Sequence, residues 1–455
     1  MLPLRLVCIT RTVHILAAAT FRNRASEVLN AQIILVILLL MSPFAIFVDR
    51  AIGYGVVAGM AAIGLVFVST GLRPGEIKFL VSTIRRGLAA AAIPALWMVI
   101  QLLPIRFLAN PIWASAEAAL GSSHHGSITI DIGSTVMALG FYLSLIAISL
   151  STAAIAIDRQ RAGSILYALN GATVLTAALL ILRHFTVTFG NIPVGDSAAV
   201  ACAGIGVVVA VAGFVKTVER ERTRAAETRA RRSRWHGVIL VGCVIAFAIS
   251  ASVLIVTAQY PVWIAVAYSL AVILGVAVVR RFDFGAWGIM ALATLPLGLG
   301  VLLISHVPNL QSDGPALAFT SPSSTDLISA SQRMLADTPW SGIGGGAFAA
   351  ISPVYRNIGD PPMPQPANAV TGILVELGRP MTALIGIVTC IAIIVLLRAA
   401  LRRGRDSFYP AAGAACLFGV FLLSFVNGGI LATGPAVLMA GILGLAFGQS
   451  KSRTI

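Results

Sequence analysis

The sequence predicts an all-α, polytopic membrane protein with about twelve transmembrane helices, and three observations support this fold class. The 455 residues are 58% hydrophobic and 11% charged, with a mean hydropathy of +0.93, whereas a soluble domain carries about 25% charged residues. Apolar runs of about 20 residues, each long enough to cross a bilayer core of about 30 Å, recur along the chain. Basic residues concentrate between alternate runs, as expected for loops that stay in the cytoplasm.

The apolar runs divide the chain into its predicted elements. The predicted spans are 31–48, 51–70, 87–105, 133–156, 163–182, 197–215, 237–257, 261–279, 286–305, 380–398, 409–426 and 429–448. With the N-terminus inside, the cytoplasmic segments hold 26 of the 32 Lys and Arg residues. This asymmetry predicts that both termini are cytoplasmic and that residues 1–455 form a single integral membrane domain.

Three segments between the spans are expected to have roles of their own. Residues 106–132 form a first periplasmic segment, and residues 306–379 form a large periplasmic loop between helices 9 and 10. Loops of this length are commonly functional. Residues 216–236 are strongly basic and are expected to extend a helix at the cytoplasmic surface, close to anionic lipid. The first 30 residues lack the pattern of a cleavable signal peptide.

The composition also argues against several classes of function. The net charge of +15 reflects the cytoplasmic loops, so no nucleic-acid partner is expected. The five cysteines lie mostly inside apolar runs, and His124 and His125 have no further ligands at a suitable spacing, so neither a metal nor a cofactor is expected. Spans one to nine lack deeply placed charges, which argues against an ion-coupled transporter. A facilitator of lipids or sugars stays open, with a cavity lined by residues such as Gln101 or Gln259.

Polar residues in and beside the large loop are the candidates for binding and chemistry. The stretch "PVYRN" supplies Tyr355 and Arg356, Arg333 precedes it, and Arg183 follows the fifth span. Arginine suits phosphate because its planar guanidinium forms paired, charge-assisted hydrogen bonds. The stretch "VELGRP" supplies Glu376, a carboxylate that stands just before the tenth span.

Two stretches of this loop resemble a known family signature. They are "DTPWSGIGGGAFAAISPVYRN" (Asp337–Asn357) and "ANAVTGILVELGRPMTALIG" (Ala367–Gly386), and "QLLPIRFLANPIWASAEAALGSSHHGSITIDIGSTVMAL" (Gln101–Leu139) adds an upstream match. Together they resemble the O-antigen ligase and O-antigen polymerase superfamily of polytopic membrane glycosyltransferases, over about half of the chain and in the family's order. The family also has about twelve spans, with its large periplasmic loop between the ninth and the tenth.

The resemblance implies metal-independent glycan transfer at the periplasmic face of the bacterial inner membrane. The implied donor is a glycan on undecaprenyl diphosphate, and the implied acceptor is lipid A-core or a growing polysaccharide, in lipopolysaccharide or exopolysaccharide biosynthesis. Membrane lipids and polysaccharide-assembly proteins are the other implied partners. Because the diphosphate is a good leaving group, positioning and electrostatic stabilisation would supply most of the catalysis.

The chain departs from the family pattern at two positions. Ala367 stands where the family has a histidine that helps to activate the acceptor, and Gln259 stands where a basic residue is expected. Glu376, His184 or His306 could serve as the base instead, or the donor could differ. Alternatively, the protein could bind glycan lipid without transferring it, or transport lipid or sugar.

Each candidate residue is therefore given an expected role. Arg356 and Arg183 are expected to bind the diphosphate, with Arg333 and Tyr355 contributing to substrate binding. Asn368 would position the acceptor. Glu376 is the candidate base, although a role as a helix-end cap would explain it as well.

Overall fold

A computed structural model describes residues 26–46, 48, 50–121, 126–185, 196–227, 234–257, 260–282, 317, 320, 325–357, 365–403 and 406–451. Within these ranges the secondary structure is helical, without a strand. Gln259 and the histidines His124, His125 and His306 lie outside the described residues, and the side chains of Arg183 and His184 do so too. The predicted span 286–305 also falls outside them.

The helices are numbered here in chain order. They are α1 (Ser26–Ala45), α2 (Arg50–Gly71), α3 (Pro74–Leu102), α4 (Ile112–Leu120), α5 (Ile132–Ile155), α6 (Arg159–Phe185), α7 (Asp196–Glu227), α8 (Arg234–Thr257), α9 (Tyr260–Phe282), α10 (Thr325–Asp337), α11 (Phe348–Tyr355), α12 (Ala369–Leu377), α13 (Arg379–Arg402), α14 (Phe408–Leu423) and α15 (Thr433–Gly448).

The described residues contain nine helices that are long and apolar enough to cross a membrane, namely α1, α2, α3, α5, α6, α7, α8, α9 and α13. Two shorter apolar helices, α14 and α15, coincide with the last two predicted spans. The structure therefore confirms a polytopic helical membrane protein. The count of twelve spans, their orientation and the extent of the large loop stay predictions.

Local sequence explains where several of these helices begin and end. Asp131 caps α5 by accepting hydrogen bonds from the backbone and hydroxyl of Ser134, at 3.0 and 2.7 Å, and these bonds hold the pKa of its carboxyl below the usual value. Gly121 ends α4 in the left-handed region, with φ of +62°, where glycine avoids the Cβ penalty. Such signals fix the end of α4 inside the predicted segment 106–132 and the start of α5 at the end of that segment.

The centre of the bundle is formed by α7, which packs against α6, α8, α9, α14 and α15 and is the most enclosed of the nine spans. Small residues let the backbones approach closely, which is how membrane helices commonly pack. Gly444 on α15 faces the backbone of Ser149 on α5, and the Ser149 hydroxyl donates to the carbonyl of Ala440 at 2.9 Å. The bundle is thus a rigid support for the segments at its ends.

The short helices α10, α11 and α12 belong to the predicted large loop and pack against one another. A small apolar core holds them, with Met334, Ile343, Phe348 and Val375 buried in it. Gly378 then connects α12 directly to the long span α13. The loop that carries the candidate residues is therefore a folded unit set on the end of the bundle.

Candidate functional site

The glycine-rich stretch Gly342–Phe348, called the glycine loop below, lies between two other segments and can do so only because of its glycines. Gly344 has φ of +111°, and a Cβ there would collide with the side chain of Thr129. Gly342 has φ of +79°, and a Cβ there would collide with the backbone of Glu376. Backbones in this region of φ and ψ are accessible almost only to glycine.

Backbone hydrogen bonds fasten the glycine loop on both sides. Ile130 donates to the carbonyl of Ile343 at 3.0 Å, and Gly344 donates to the carbonyl of Glu376 at 3.0 Å. The loop is therefore a strand-like connection between the start of α5 and the end of α12, which are far apart in sequence.

Gln101, at the end of α3, joins these segments to the bundle. Its side chain is completely buried, and its Nε2 donates to the carbonyls of Ser341, at 3.1 Å, and Glu376, at 3.0 Å. Its Oε1 accepts from the backbone N–H of Gly345 at 3.2 Å. One turn earlier, Trp97 Nε1 donates to the carbonyl of Leu377 at 2.9 Å. Gln101 thus holds a backbone junction together, which is a different role from lining a transport cavity.

Replacing Gln101 with Met is expected to lower the free energy of unfolding by about 2–4 kcal/mol, because the Ser341 carbonyl and the buried Gly345 N–H lose this partner and the Glu376 carbonyl loses one of its two donors. Gln160→Met, at an exposed position on α6, is the matched control and should change stability by less than about 0.5 kcal/mol. Thermal unfolding of the purified variants in detergent measures both. Equal stability of the two variants would show that the junction does not depend on Gln101.

The carboxyl group of Glu376 lies at the N-terminus of α11. Phe348 donates its backbone N–H to Oε1 at 3.3 Å, and the backbone N–H of Gly346 bonds the same carboxyl. Free N–H groups and the helix dipole favour negative charge at this position. A carboxylate offers about four acceptor positions, and these two bonds use two of them.

Burial nevertheless raises the pKa of Glu376 above its usual value, and this effect outweighs the two N–H bonds and the charge of Arg50, which act in the opposite direction. Arg50 is the first residue of α2 and is exposed. Tyr54 lies one turn further along the same face of α2, within the electrostatic range of both Arg50 and Glu376. A carboxyl group, a guanidinium and a phenol therefore lie within electrostatic range of one another at this end of the bundle.

Tyr54 is fixed in place by an aromatic stack. Its ring lies parallel to that of Phe141 on α5, with the centroids 4.0 Å apart and an angle of 7° between the planes. Because α2 and α5 pack along their length, the stack sets the position of Tyr54 relative to the glycine loop.

Asn368 has a structural role in the fold. Its Oδ1 caps α12 by accepting from the backbone and hydroxyl of Thr371, both at 2.8 Å. Its Nδ2 donates to the Thr320 hydroxyl at 2.7 Å and to the carbonyl of Phe425 at 3.1 Å. The side chain is completely buried, so the structure gives it no atom that faces an acceptor. It lies at the opposite end of α12 from Glu376, about 12 Å away along the helix.

Arg333, Tyr355 and Arg356 come together at the C-terminal end of α11. Arg333 Nη2 donates to the carbonyl of Tyr355 at 2.7 Å, and the Tyr355 hydroxyl donates to Asp337 Oδ2 at 3.1 Å. Burial, together with the bond to Asp337 and its charge, raises the pKa of Tyr355. This cluster is about 12 Å from the N-terminus of α11, where the Glu376 carboxyl lies.

Arg183 lies in the last turn of α6, which packs on α7 and α8. The structure therefore brings together three of the four predicted binding residues and places Glu376 apart from them. Arg50 and Tyr54 were not identified as site residues from the sequence. The sequence marks them only as a basic and an aromatic residue that stand one turn apart at the start of a span.

In the part of the chain that the structure describes, no three His, Cys, Asp or Glu side chains are grouped so that they could hold a metal ion. The arrangement around Glu376 offers acid–base and electrostatic chemistry. No family model matches this chain, and no curated protein or solved structure matches it either.

Proposed function

We propose that this protein transfers or polymerises glycan from an undecaprenyl-diphosphate-linked donor, as an O-antigen ligase-like enzyme of the bacterial inner membrane. In this proposal the end of the bundle with the glycine loop faces the periplasm. The observation that carries it is the Glu376 carboxyl, which is held by two backbone N–H groups beside Arg50 and has a raised pKa. Strongly perturbed carboxyl groups next to a charged partner are common at catalytic sites.

Glu376 acts in this proposal as the general base. The acceptor hydroxyl gives its proton to the free lone pairs of the carboxylate, and its oxygen forms the new bond to the anomeric carbon. The bond between that carbon and the diphosphate breaks, and the electron pair leaves with the diphosphate. Undecaprenyl diphosphate and the extended glycan are the products. A raised pKa suits a base that works near neutral pH.

Arg50 is the guanidinium whose charge acts on Glu376, so we assign it to the leaving diphosphate. Arg356 and Arg333, at the other end of α11, would bind a more distant part of the donor. Tyr355 is hydrogen-bonded to Arg333 and to Asp337. The two sets of arginines are assigned to different parts of the donor because of the length of α11. Its two ends are about 12 Å apart, too far for a single phosphate group to contact both.

Arg50→Gln is expected to reduce glycan transfer about 10²-fold, since a fixed charge that stabilises the developing negative charge is removed. Arg85→Gln, which removes an exposed arginine from α3, should leave transfer within about twofold. Initial rates with isolated lipid-linked donor measure the difference. Equal rates for the two variants would contradict the assignment of Arg50.

A glycan-lipid binding protein without transferase activity is the second candidate. Ala367 is buried at the position of the family's histidine, and the neighbouring Asn368 is fully used as a cap. The family's acceptor-activating pair therefore has no counterpart at these two positions. This candidate predicts that the wild type binds the donor without releasing undecaprenyl diphosphate.

The native host offers the test of the proposed function. The gene is deleted and then restored as wild type or as Arg356→Ala, and lipopolysaccharide and exopolysaccharide ladders are compared on gels. A ladder that is lost on deletion and restored only by the wild type supports the transferase and the role of Arg356. Unchanged ladders in the deletion strain would contradict a role in those polymers.

A further inference from the structure

The end of the bundle opposite the glycine loop carries a second cluster of charged residues. Span α13 starts at the glycine loop, where Arg379 donates its backbone N–H to the carbonyl of Trp340 at 3.2 Å. The helix has 24 residues, so its other end lies about 36 Å away. Arg403 follows directly after it and is therefore near the opposite membrane surface.

Arg403 has an unused hydrogen-bond donor. Its Nη2 donates to Gln449 Oε1 at 2.7 Å, whereas its Nη1 is buried and has no hydrogen-bond partner among the described residues. Burial lowers the pKa of Arg403 despite the nearby carboxylate of Asp406. A buried guanidinium N–H without an acceptor is costly, so this atom indicates that an acceptor binds here.

The nearest carboxylate is already engaged. Asp406 Oδ2 forms an ion pair with Arg159 Nε at 3.1 Å, and the Arg159 side chain is 53% exposed. Arg159 also acts on Arg403 through its charge. Asp406 is thus shared by two guanidinium groups, one facing solvent and one facing the protein interior.

Lys216 on α7 is engaged inside the bundle. It is completely buried, with its Nζ 4.1 Å from the centre of the Tyr167 ring and 5.6 Å from that of Tyr409. A Cβ on Gly163, one turn after Arg159 on α6, would lie 2.8 Å from the Lys216 Nζ. These contacts place Lys216 beside the charged residues but leave it outside the group that they form.

The basic cluster, defined as Arg159, Arg403 and Asp406, therefore carries one more positive than negative charge. The other charged residues that the structure describes near this surface pair with one another. Arg280 is paired with Glu219 at 3.3 Å, and Arg161 with Asp158 at 3.7 Å.

We propose that the basic cluster binds a phosphate group, carried by an anionic phospholipid headgroup or by a soluble phosphate. Phosphate oxygens fit the planar donors of two guanidinium groups, and they supply the acceptor that Arg403 Nη1 lacks. The exposed side of Arg159 gives access from the membrane surface. Basic sites between transmembrane helices at a membrane surface are known to bind lipid headgroups.

The test uses the purified, delipidated protein in neutral detergent. Thermal unfolding is followed during titration with phosphatidylglycerol, with phosphatidylcholine and with inorganic phosphate. Wild type is compared with Arg403→Gln and Arg159→Gln, and Arg402→Gln is the matched control because Arg402 is exposed on the preceding helical position. Arg159→Gln, at a half-exposed position, carries the test if Arg403→Gln does not fold.

Phosphatidylglycerol or inorganic phosphate is expected to raise the Tm of the wild type more than phosphatidylcholine does. The apparent Kd should increase at least tenfold in Arg403→Gln and Arg159→Gln. In Arg402→Gln it should stay within twofold of the wild-type value. A rise with inorganic phosphate identifies a soluble source, and a rise with phosphatidylglycerol alone identifies a lipid headgroup. Equal Tm changes with all three additives, or equal weakening in Arg402→Gln, would overturn the proposal.

Discussion

Glu376→Gln is expected to reduce glycan transfer by about 10²–10⁴-fold, which is the contribution of a positioned general base. The amide keeps the shape of the side chain, but it cannot take the proton of the acceptor hydroxyl. Donor binding should change much less, because Arg50, Arg356 and Arg333 remain. The rate of glycan transfer and the affinity for the lipid-linked donor are the two quantities to measure.

Because the pKa of Glu376 is raised, we expect a specific pH dependence of the transfer rate and of the free energy of unfolding. Transfer by the wild type should decline on acidification at a pH above the ordinary glutamate pKa of about 4.3, because the carboxylate is then protonated. The folded state binds this proton more tightly than the unfolded state, so ionisation of Glu376 costs stability as the pH rises through the raised pKa. Glu376→Gln should therefore be at least as stable as the wild type at neutral pH.

Glu117→Gln is the matched control, because Glu117 is exposed on α4 near the same end of the bundle. It should leave transfer within about twofold. If Glu376→Gln retains more than a tenth of the wild-type rate, Glu376 is not the base. In that case the transfer rates of the wild type and of Glu376→Gln should decline at the same acidic pH.

Gly344→Ala is expected to have the largest effect on stability, lowering the free energy of unfolding by about 3 kcal/mol or more. The backbone at φ of +111° is costly for alanine, by about 1–3 kcal/mol. The new Cβ also collides with the side chain of Thr129, which is completely buried and bonded to the Thr135 hydroxyl at 2.7 Å. Overpacking of this kind costs about 1–3 kcal/mol more.

Gly345→Ala is the control within the same loop. A Cβ on Gly345 would meet the Met98 sulfur at 3.0 Å, and the flexible methionine side chain can move away. The loss should stay below about 1 kcal/mol, measured by thermal unfolding in the same detergent. Similar losses for Gly344→Ala and Gly345→Ala would contradict the described path of the glycine loop.

The fold class could be predicted from hydropathy because each span is a local property of about 20 consecutive residues. The runs at 51–70 and 380–398, for example, lie within α2 and α13. The candidate site could not be predicted in this way, because its contacts join distant parts of the chain. Gln101 and Ser341 are 240 residues apart in sequence, and one sequence contains no signal that pairs them.

Asn368 illustrates a role that local sequence could have indicated. An asparagine directly before an apolar helix is a common N-cap, and Thr371 stands three residues later, where its backbone N–H donates to Asn368 Oδ1. The resemblance directed attention to chemistry instead. For Glu376 the sequence left a cap and a base as alternatives, and the structure adds the carboxyl's position at the start of α11 beside Arg50.

The most direct measurement is the release of undecaprenyl diphosphate by the purified protein in proteoliposomes. The donor is the lipid-linked glycan that accumulates in the deletion strain, and the acceptor is the host's own polysaccharide or lipid A-core fraction. We predict that the wild type releases one undecaprenyl diphosphate for each glycosidic bond formed, and that Glu376→Gln binds the donor without releasing it. Donor binding by the wild type with no release of undecaprenyl diphosphate would contradict glycan transfer and indicate a binding protein.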